Sequence, residues 1–377
     1  MCDIVFVEGD LDALKHAVQA FNENPEIQMI MVLVGAHTQF PYDSFDVFIR
    51  ENDKPLIGGI FPYIIFEKNL VCDGALLIPI TINGQWGVIQ SLSQAKDIEQ
   101  QLQKQLPWQS ITSGTLFSFV DCVSSGTQCL IDELFNQYGV EINYIGGGCG
   151  VLSDLKRPCV ITPQGLLSDA AVLLMTDYRS GIGVSHGWQS ISGALKVTES
   201  EANEIISIDW RPAAEVYRSI VEDHSGMRFS QTPFKDVARA YPFGVAKLAE
   251  ELIIRDPFEL KGSRIVCFGD VRQGSYVHIM HGKADFISAA AAKASQRALK
   301  SLGNHEPKLM FLMDCMSRAL FLGELFAREI THIEIEGLPI VGALTLGEIA
   351  NNGYDYLEFY NKTSVVGLIS CDTTRSD

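Results

Sequence analysis

LFSFVDCVSSGTQCLIDELF, Leu116 to Phe135, returns as LMFLMDCMSRALFLGELF, Leu309 to Phe326. Each copy is an apolar run short enough for a buried strand, an Asp-Cys-x-Ser step at its end, and then a stretch with helical spacing. Each is followed by a second apolar run broken by glycine, YIGGG at Tyr144 to Gly148 and PIVGAL at Pro339 to Leu344. A last apolar strand closes each copy, DAAVLLM at Asp169 to Met175 and TSVVGLI at Thr363 to Ile369. Such a repeat predicts a pseudo-symmetric scaffold with a ligand site where matching strand ends converge. A fainter copy precedes both: MIMVLVGAH at Met29 to His37, LIGGIF at Leu56 to Phe61 and GALLIPI at Gly74 to Ile80, with Ala36 and His37 where Asp-Cys stands in the others.

Outside the repeats, Leu11, Leu14, Val18 and Phe21 have helical spacing behind a capping Asp10, and Ile27 to Val34 reads as a buried strand. In the two strong copies, Leu130, Leu134 and Tyr138, and Leu322, Leu325 and Phe326, each form one helical face, with Ser124 or Ser317 as N-cap. Pro212 suits the first turn of a helix through Ala213 and Tyr217, and the alanine-rich run from Phe286 to Leu302 predicts a long one. The polar, turn-rich stretch His224 to Pro233 is the natural domain boundary. The expected fold is therefore α/β in the mixed α+β sense, with duplicated strand-helix-strand units forming two mixed-sheet domains, residues 1–225 and 226–377.

The 377 residues are 47% hydrophobic and 20% charged, enough for large ordered cores. A net charge of −17 repels phosphate backbones and anionic lipid, so neither nucleic acid nor membrane is an expected partner. Nine cysteines without a Cys-x-x-Cys pair read as reduced thiols in a cytoplasmic protein, and no run reaches membrane-spanning length free of charge, glycine or proline.

Several residues are candidates for chemistry. A cysteine at a helix N-terminus feels unpaired N–H groups and the helix dipole, both favouring thiolate, so Cys122 and Cys315 are candidate nucleophiles or soft metal ligands. His186, in GIGVSHGW, is a candidate iron ligand, and the indole of Trp188 is placed to flank a planar ligand. His37 and the pair His278 and His281 are less specific, their spacing of three giving no standard zinc pattern. Between two apolar strands, Leu344 to Thr363 offers Glu348, Asn351, Asn352 and Asn361 as ligand partners, with Gly347 and Gly353 for turns. Neither GGGCG nor GDVRQGS has the spacing of a nucleotide loop.

Motifs spaced in order along the chain resemble the FIST family of sensory proteins. They are GVSHGW at Gly183 to Trp188 followed by RPAAEVY at Arg211 to Tyr217, DCMSR at Asp314 to Arg318, and LGEI at Leu346 to Ile349 followed by NKTSVV at Asn361 to Val366. One departure is GGIFPYII at Gly58 to Ile65, where many members carry a Cys-Thr-x-x-Gly-Glu-like turn. The resemblance implies a ligand-binding sensor rather than an enzyme. Its stand-alone bacterial branch implies a b-type haem, here with His186 as iron ligand, that senses nitric oxide and regulates a partner histidine kinase. Self-association into a homo-oligomer is compatible with it. A second reading is a sensor of an amino acid or similar metabolite, with Arg318 forked onto its carboxylate and Asp314, Glu348 and neighbouring asparagines on its other groups. A third is a thiol enzyme centred on Cys315.

Overall fold

A computed structural model describes residues 3–94, 96–107, 113–152, 157–247, 252–351 and 356–373. Three copies of one unit, not two, build it. The first unit runs Val5–Val7, helix Leu11–Glu23, Met29–Gly35, helix Tyr42–Glu51, Leu56–Phe61, a hairpin of Tyr63–Phe66 and Asn69–Val71, and Ala75–Ile80. The second repeats this from Gly84–Gln90 to Ala170–Thr176, with Gly114–Asp121, helix Thr127–Tyr138, Ile142–Cys149 and the hairpin Val160–Thr162 and Gly165–Leu167. The third opens with Tyr178–Ser185 and resumes at helix Ala284–Leu302. It continues through Pro307–Cys315, helices Met316–Leu322 and Phe326–Ile333, Ile340–Thr345, the hairpin Glu348–Ala350 and Glu358–Tyr360, and Ser364–Thr373. The faint N-terminal copy is thus a full structural one, and the mixed α+β expectation holds.

In each unit the glycine-bearing strand lies parallel to the central strand, and the closing strand runs antiparallel on its other side. The hairpin does not stay at home. That of the first unit pairs with Ile340–Thr345 of the third, that of the third with Ile142–Cys149 of the second, and that of the second with Leu56–Phe61 of the first. Three six-stranded sheets result, each completed by a neighbour, and the exchange closes on itself. Their inner faces meet in one core, where Phe61 packs on Phe119 at 6.1 Å and Phe117 on Phe311 at 5.4 Å between ring centroids. The helices cover the outer faces; Met310 and Leu312, for example, point away from that core towards Ala291, Ala294 and Ala298.

One glycine explains the break in each repeated apolar run. Gly58, Gly146 and Gly342 sit opposite Val32, Ser118 and Leu312 in the parallel register. At each, an added Cβ would overlap the carbonyl oxygen of that partner. Only glycine allows the approach.

Between Ser185 and Ala284 the third unit carries an insertion. Strands Leu195–Glu201, Glu204–Ile208, Arg264–Phe268, Ile253–Lys261, Phe243–Val245 and Tyr276–His281 pair antiparallel in that order, and the last returns to the first. They form a closed barrel around Tyr217, Phe243, Val277 and Ile279, with helix Ala213–Ser225 covering it. The stretch His224 to Pro233 joins that helix to helix Phe234–Ala238.

Local readings fared unevenly. Helix Leu11–Glu23 is capped as expected, Asp10 Oδ1 accepting from the Asp12 and Ala13 N–H groups at 3.1 Å. Ser124 and Ser317 do not cap their helices. Their hydroxyls donate instead to Asp169 and Asp256, each at 2.8 Å, because those carboxylates are close and need donors. The face Leu322, Leu325, Phe326 is interrupted where Gly323 turns to a φ of 55° between two short helices.

Gly342→Ala is expected to lower the unfolding free energy by about 3 kcal/mol, since backbone rather than a movable side chain blocks the methyl. Gly139→Ala is the control for backbone strain alone, because no atom stands within 4 Å of its added Cβ. Urea titrations of both variants give the comparison.

Candidate functional site

The central strand of the third unit ends at Asp314-Cys315, and Arg318 stands one helical turn later, fully buried. All five of its N–H donors are used inside the protein. Nε and Nη2 reach Glu329 Oε1 at 3.0 and 2.7 Å, Nη1 the carbonyls of His186 and Lys362 at 2.6 and 3.2 Å, and Nη2 also the carbonyl of Ile287 at 3.1 Å. Asp314 Oδ1 lies 3.1 Å from Nε. The guanidinium therefore forks onto a protein carboxylate, Glu329, in the manner anticipated for a ligand carboxylate. His186 is where the chain leaves for the barrel and Ile287 lies just after its return, so one side chain holds both crossings.

Around this node sit further buried polar groups. Asp314 accepts from Ser364 Oγ and from the Cys315 N–H, both at 2.8 Å. Glu348, fully buried, accepts from Thr345 Oγ1 at 2.8 Å and the Thr363 N–H at 3.3 Å. Burial pushes the Glu348 carboxyl well up, with Asp314 adding to it. Burial likewise raises Glu329 to about 8 against the pull of Arg318. Two carboxyls share one guanidinium at Arg318, so the last proton among them is held into the neutral range.

The cysteines at the strand ends are not thiolates. Burial, with Glu348 beside it, drives the Cys315 thiol well above its ordinary range, and burial with Asp121 brings Cys122 to about 12. Desolvation overrides the helix N-terminus, and a thiol nucleophile at Cys315 has no support here. No disulfide joins the eight described cysteines.

His186 is also buried, and its Nδ1 accepts the Trp188 N–H at 2.9 Å. Burial, then Arg318 and Arg297, lowers its pKa to about 3, so the ring is neutral with its proton on Nε2. Iron held through Nε2 needs that proton gone and two guanidinium charges tolerated nearby. The imidazole as placed does not fit a haem iron. Among the described residues no group of three or more His, Cys, Asp or Glu is arranged to hold a metal ion.

Trp188 is buried between protein groups rather than beside open space. Its Nε1–H donates to the Lys362 carbonyl at 3.1 Å, Phe321 meets it edge-on at 5.0 Å, and Lys362 Nζ lies 5.0 Å from its centroid. Asn351 stands apart from the node. It ties the third unit's hairpin to the second, accepting the Tyr144 N–H at 3.0 Å and donating to the Ile142 carbonyl at 3.3 Å. Asn361 lies at the contact with the barrel, its Oδ1 accepting the Asp256 N–H at 3.3 Å. Asn352 and Gly353 lie outside the described residues.

The open site lies beside this node. A cleft of about 570 Å³ separates the barrel from the second unit's helix Thr127–Tyr138 and the third unit's hairpin, with His186 and Thr363 reaching its wall. Two ion pairs cross from barrel to the other units, Lys247 Nζ to Glu358 Oε1 at 2.5 Å and Arg272 Nη2 to Asp132 Oδ2 at 3.1 Å. Phe135 and Tyr356 pack at 4.9 Å on the same rim. Behind them Arg255, buried, donates to the carbonyls of Phe359 at 2.8 Å and Asp270 at 3.0 Å.

These cleft residues, and Glu329, carried no signal in the sequence, since they come from several separate stretches of the chain. Lys362 had one, standing in the quoted NKTSVV motif. Fully buried with a φ of 51°, it reaches Asp256 Oδ2 and the Arg239 carbonyl, each at 3.1 Å.

Comparison with known families agrees with this architecture. The FIST N domain matches residues 33–211 and the FIST C domain residues 213–351. The chain belongs to the FIST family, whose domains are signal-transduction sensors suggested to bind small ligands. The seam between the two matches falls inside the inserted barrel, at the start of helix Ala213–Ser225. No curated protein matches the chain in a sequence search. No helix among the described residues is long and apolar enough to cross a membrane.

Arg318→Met is expected to cost about 3–5 kcal/mol, because the charge shared by Asp314 and Glu329 loses its counter-charge while remaining buried. Chemical denaturation at neutral pH measures this. A second outcome concerns acid. His186 takes up its proton at about 6.5 when unfolded but only at about 3 when folded, so its contribution is complete above 6.5 and is lost as pH falls. By pH 4 the loss approaches about 3 kcal/mol, from 1.36 kcal/mol per pKa unit. In His186→Asn, whose Oδ1 retains the Trp188 bond, the pH dependence of unfolding should be flatter by that amount.

Proposed function

We propose that the protein is a signalling sensor whose ligand is a small metabolite carrying both a carboxylate and an ammonium group, an amino acid or a close relative, bound in the cleft between barrel and ring. The observation that carries this is the pairing of charges there. Lys247 and Arg272 come from the barrel, Glu358 and Asp132 from the other side; the Arg272–Asp132 pair is exposed, while in the other pair Lys247 is exposed and Glu358 is buried. An exposed ion pair contributes roughly 0–1 kcal/mol, so a zwitterion exchanges the Arg272–Asp132 pair for its own contacts at little cost. Phe135 and Tyr356 supply an aromatic rim for the ligand's apolar part.

The amino-acid reading thereby moves from the strand-end residues Asp314, Arg318 and Glu348 to the cleft, since those side chains are spent on protein partners, Arg318 on Glu329 and Asp314, and Glu348 on Thr345 and Thr363. The nitric-oxide-sensing haem reading has the hydrogen bond on His186 Nδ1 against it. Signalling follows from geometry. A ligand bridging the cleft favours one placement of the barrel, and Arg318, which holds both chain crossings, ties that placement to the units below. A histidine kinase remains the expected recipient of the signal.

A thermal-shift screen with amino acids tests this. A ligand at 100 times its Kd stabilises by about 2.7 kcal/mol and raises the melting temperature accordingly. Arg272→Ala and Asp132→Asn should abolish the shift without changing the melting temperature of the ligand-free protein. Titration with haemin should give no Soret band that depends on His186. A Soret band lost in His186→Asn, with no amino acid giving a shift, overturns the proposal.

A further inference from the structure

Three cationic side chains are buried among the described residues, Arg255, Arg318 and Lys362. Arg318 has Glu329 and Asp314 at ion-pair distance, and Lys362 has Asp256. Arg255, 4% exposed, has no carboxylate at that distance among the described residues. Its Nε donates to the Asp270 carbonyl at 3.0 Å, and its Nη1 to the carbonyls of Ile254 and Phe359 at 3.2 and 2.8 Å. These neutral oxygens fix the plane of the guanidinium and leave Nη2 without a protein partner. That nitrogen is not sealed in the core. Ile253 and Arg255, two residues apart on one strand, share a face, and both line the cleft. Burial lowers the Arg255 pKa, and Glu358 and Asp270 offset this only from beyond ion-pair distance. A charge taken out of water without a counter-charge is costly, and an anion entering the cleft removes that cost.

A free anion stands in the same cleft. Asp270, half-buried, lines it, and its carboxylate has neither a hydrogen bond nor an ion pair among the described residues. Burial pushes that carboxyl up, Arg255 and Arg272 pull it down, and Asp132 pushes it up, so the four charges lie in one cluster. The other charges of the cleft are answered. Lys247 holds Glu358, Arg272 holds Asp132, and His186 is neutral. Among the described residues no further charged side chain lines the cleft, which leaves one unpaired cation and one unpaired anion. A simple anion would leave Asp270 unanswered, and a simple cation would leave Arg255 so. Much of the remaining wall is apolar, with Val184, Val245, Ile253 and Leu357 behind the Phe135 and Tyr356 rim.

We propose, resting on the cleft reading above, that Arg255 takes the ligand's carboxylate and Asp270 its ammonium, and that the ligand is an α-amino acid with an uncharged, apolar side chain. Nη2 offers two N–H groups to the carboxylate. Arg272 and Asp132, parted by the ligand, join the same two ends. The α arrangement follows from proximity, since Arg255 Nε is bonded to the main chain of Asp270 itself. With the head group held there, the side chain lies against the apolar wall and the aromatic rim. A charged side chain would have no counter-charge left to meet.

The test is isothermal titration of the full chain with phenylalanine, leucine, glutamate and lysine, with phenylalaninamide and 3-phenylpropionate as head-group probes, and with inorganic phosphate as the competing anion. Phenylalanine or leucine should bind the wild type more tightly than glutamate, lysine or phosphate. Phenylalaninamide, without the carboxylate, should bind about thirtyfold or more weakly, and 3-phenylpropionate, without the ammonium, about tenfold more weakly. Asp270→Asn removes a side chain that has no protein partner to lose, so it should fold as the wild type does. It should bind phenylalanine about tenfold more weakly and no longer prefer it to 3-phenylpropionate. Arg255→Gln should erase the preference for phenylalanine over its amide. Tighter binding of phosphate, glutamate or lysine, or an unchanged preference in Asp270→Asn, overturns the proposal. An amino acid whose binding is lost in Arg272→Ala but untouched in Asp270→Asn and Arg255→Gln sinks this assignment and leaves the cleft reading standing. Absence of binding by every amino acid overturns both.

Discussion

No unit of this protein can finish its own sheet. The strand that should flank each glycine-bearing strand is supplied by another unit, and the cycle of gifts runs first to third, third to second, second to first. Within each unit the glycine strand already lies tight against its own central strand, Gly58, Gly146 and Gly342 pressing on carbonyl oxygens there. Between units, where the arrangement demands that the glycine strands approach one another, Gly59 meets the Cys149 sulfur and Gly147 meets Thr345. The core that results is common to all three sheets.

Beside the apolar contacts of Ile254 and Met280, a set of polar ones joins barrel to ring. Lys362 reaches Asp256 and the Arg239 carbonyl, Ser317 donates to Asp256, and Arg255 donates to the Phe359 carbonyl. Charged groups buried in this way have little net value for stability but a high cost when one partner is lost, which makes the alternatives few and well separated. A sensor needs that property. An oily contact slides through many near-equal placements, whereas a lattice of directed hydrogen bonds has discrete ones.

Much of the fold could be read from residues 116–135 and 309–326, because strand and helix periods repeat there with the same punctuation. The first unit was harder to read, having Ala36-His37 in place of Asp-Cys, yet it kept the feature that matters mechanically, a glycine facing a carbonyl. The exchange of hairpins left no trace in the sequence, since a short apolar strand pairs as well with a distant edge as with a near one. At the site, the motif containing His186 and Trp188 and that containing Asp314 and Arg318 marked a real convergence. Its meaning was misjudged because partners far along the chain, Glu329, Lys362 and Arg297, decide whether those groups face a ligand or each other. The cleft, assembled from three separate elements by Asp132, Lys247, Arg272 and Glu358, was invisible to any local pattern.

The circular hairpin exchange also sets a timetable for biosynthesis. As the chain emerges from the ribosome, the first unit must wait for residues 160–167 before its sheet is complete, and its own hairpin finds its place only when residues 340–345 appear. The second unit waits for residues 348–350. The first sheet is thus complete once residue 167 is made, whereas the other two wait for residues 358–360 and 364–373, and until then their open apolar edges are on display. Chaperone dependence during synthesis, and poor yields from truncated chains, would be the cellular signature of this ring.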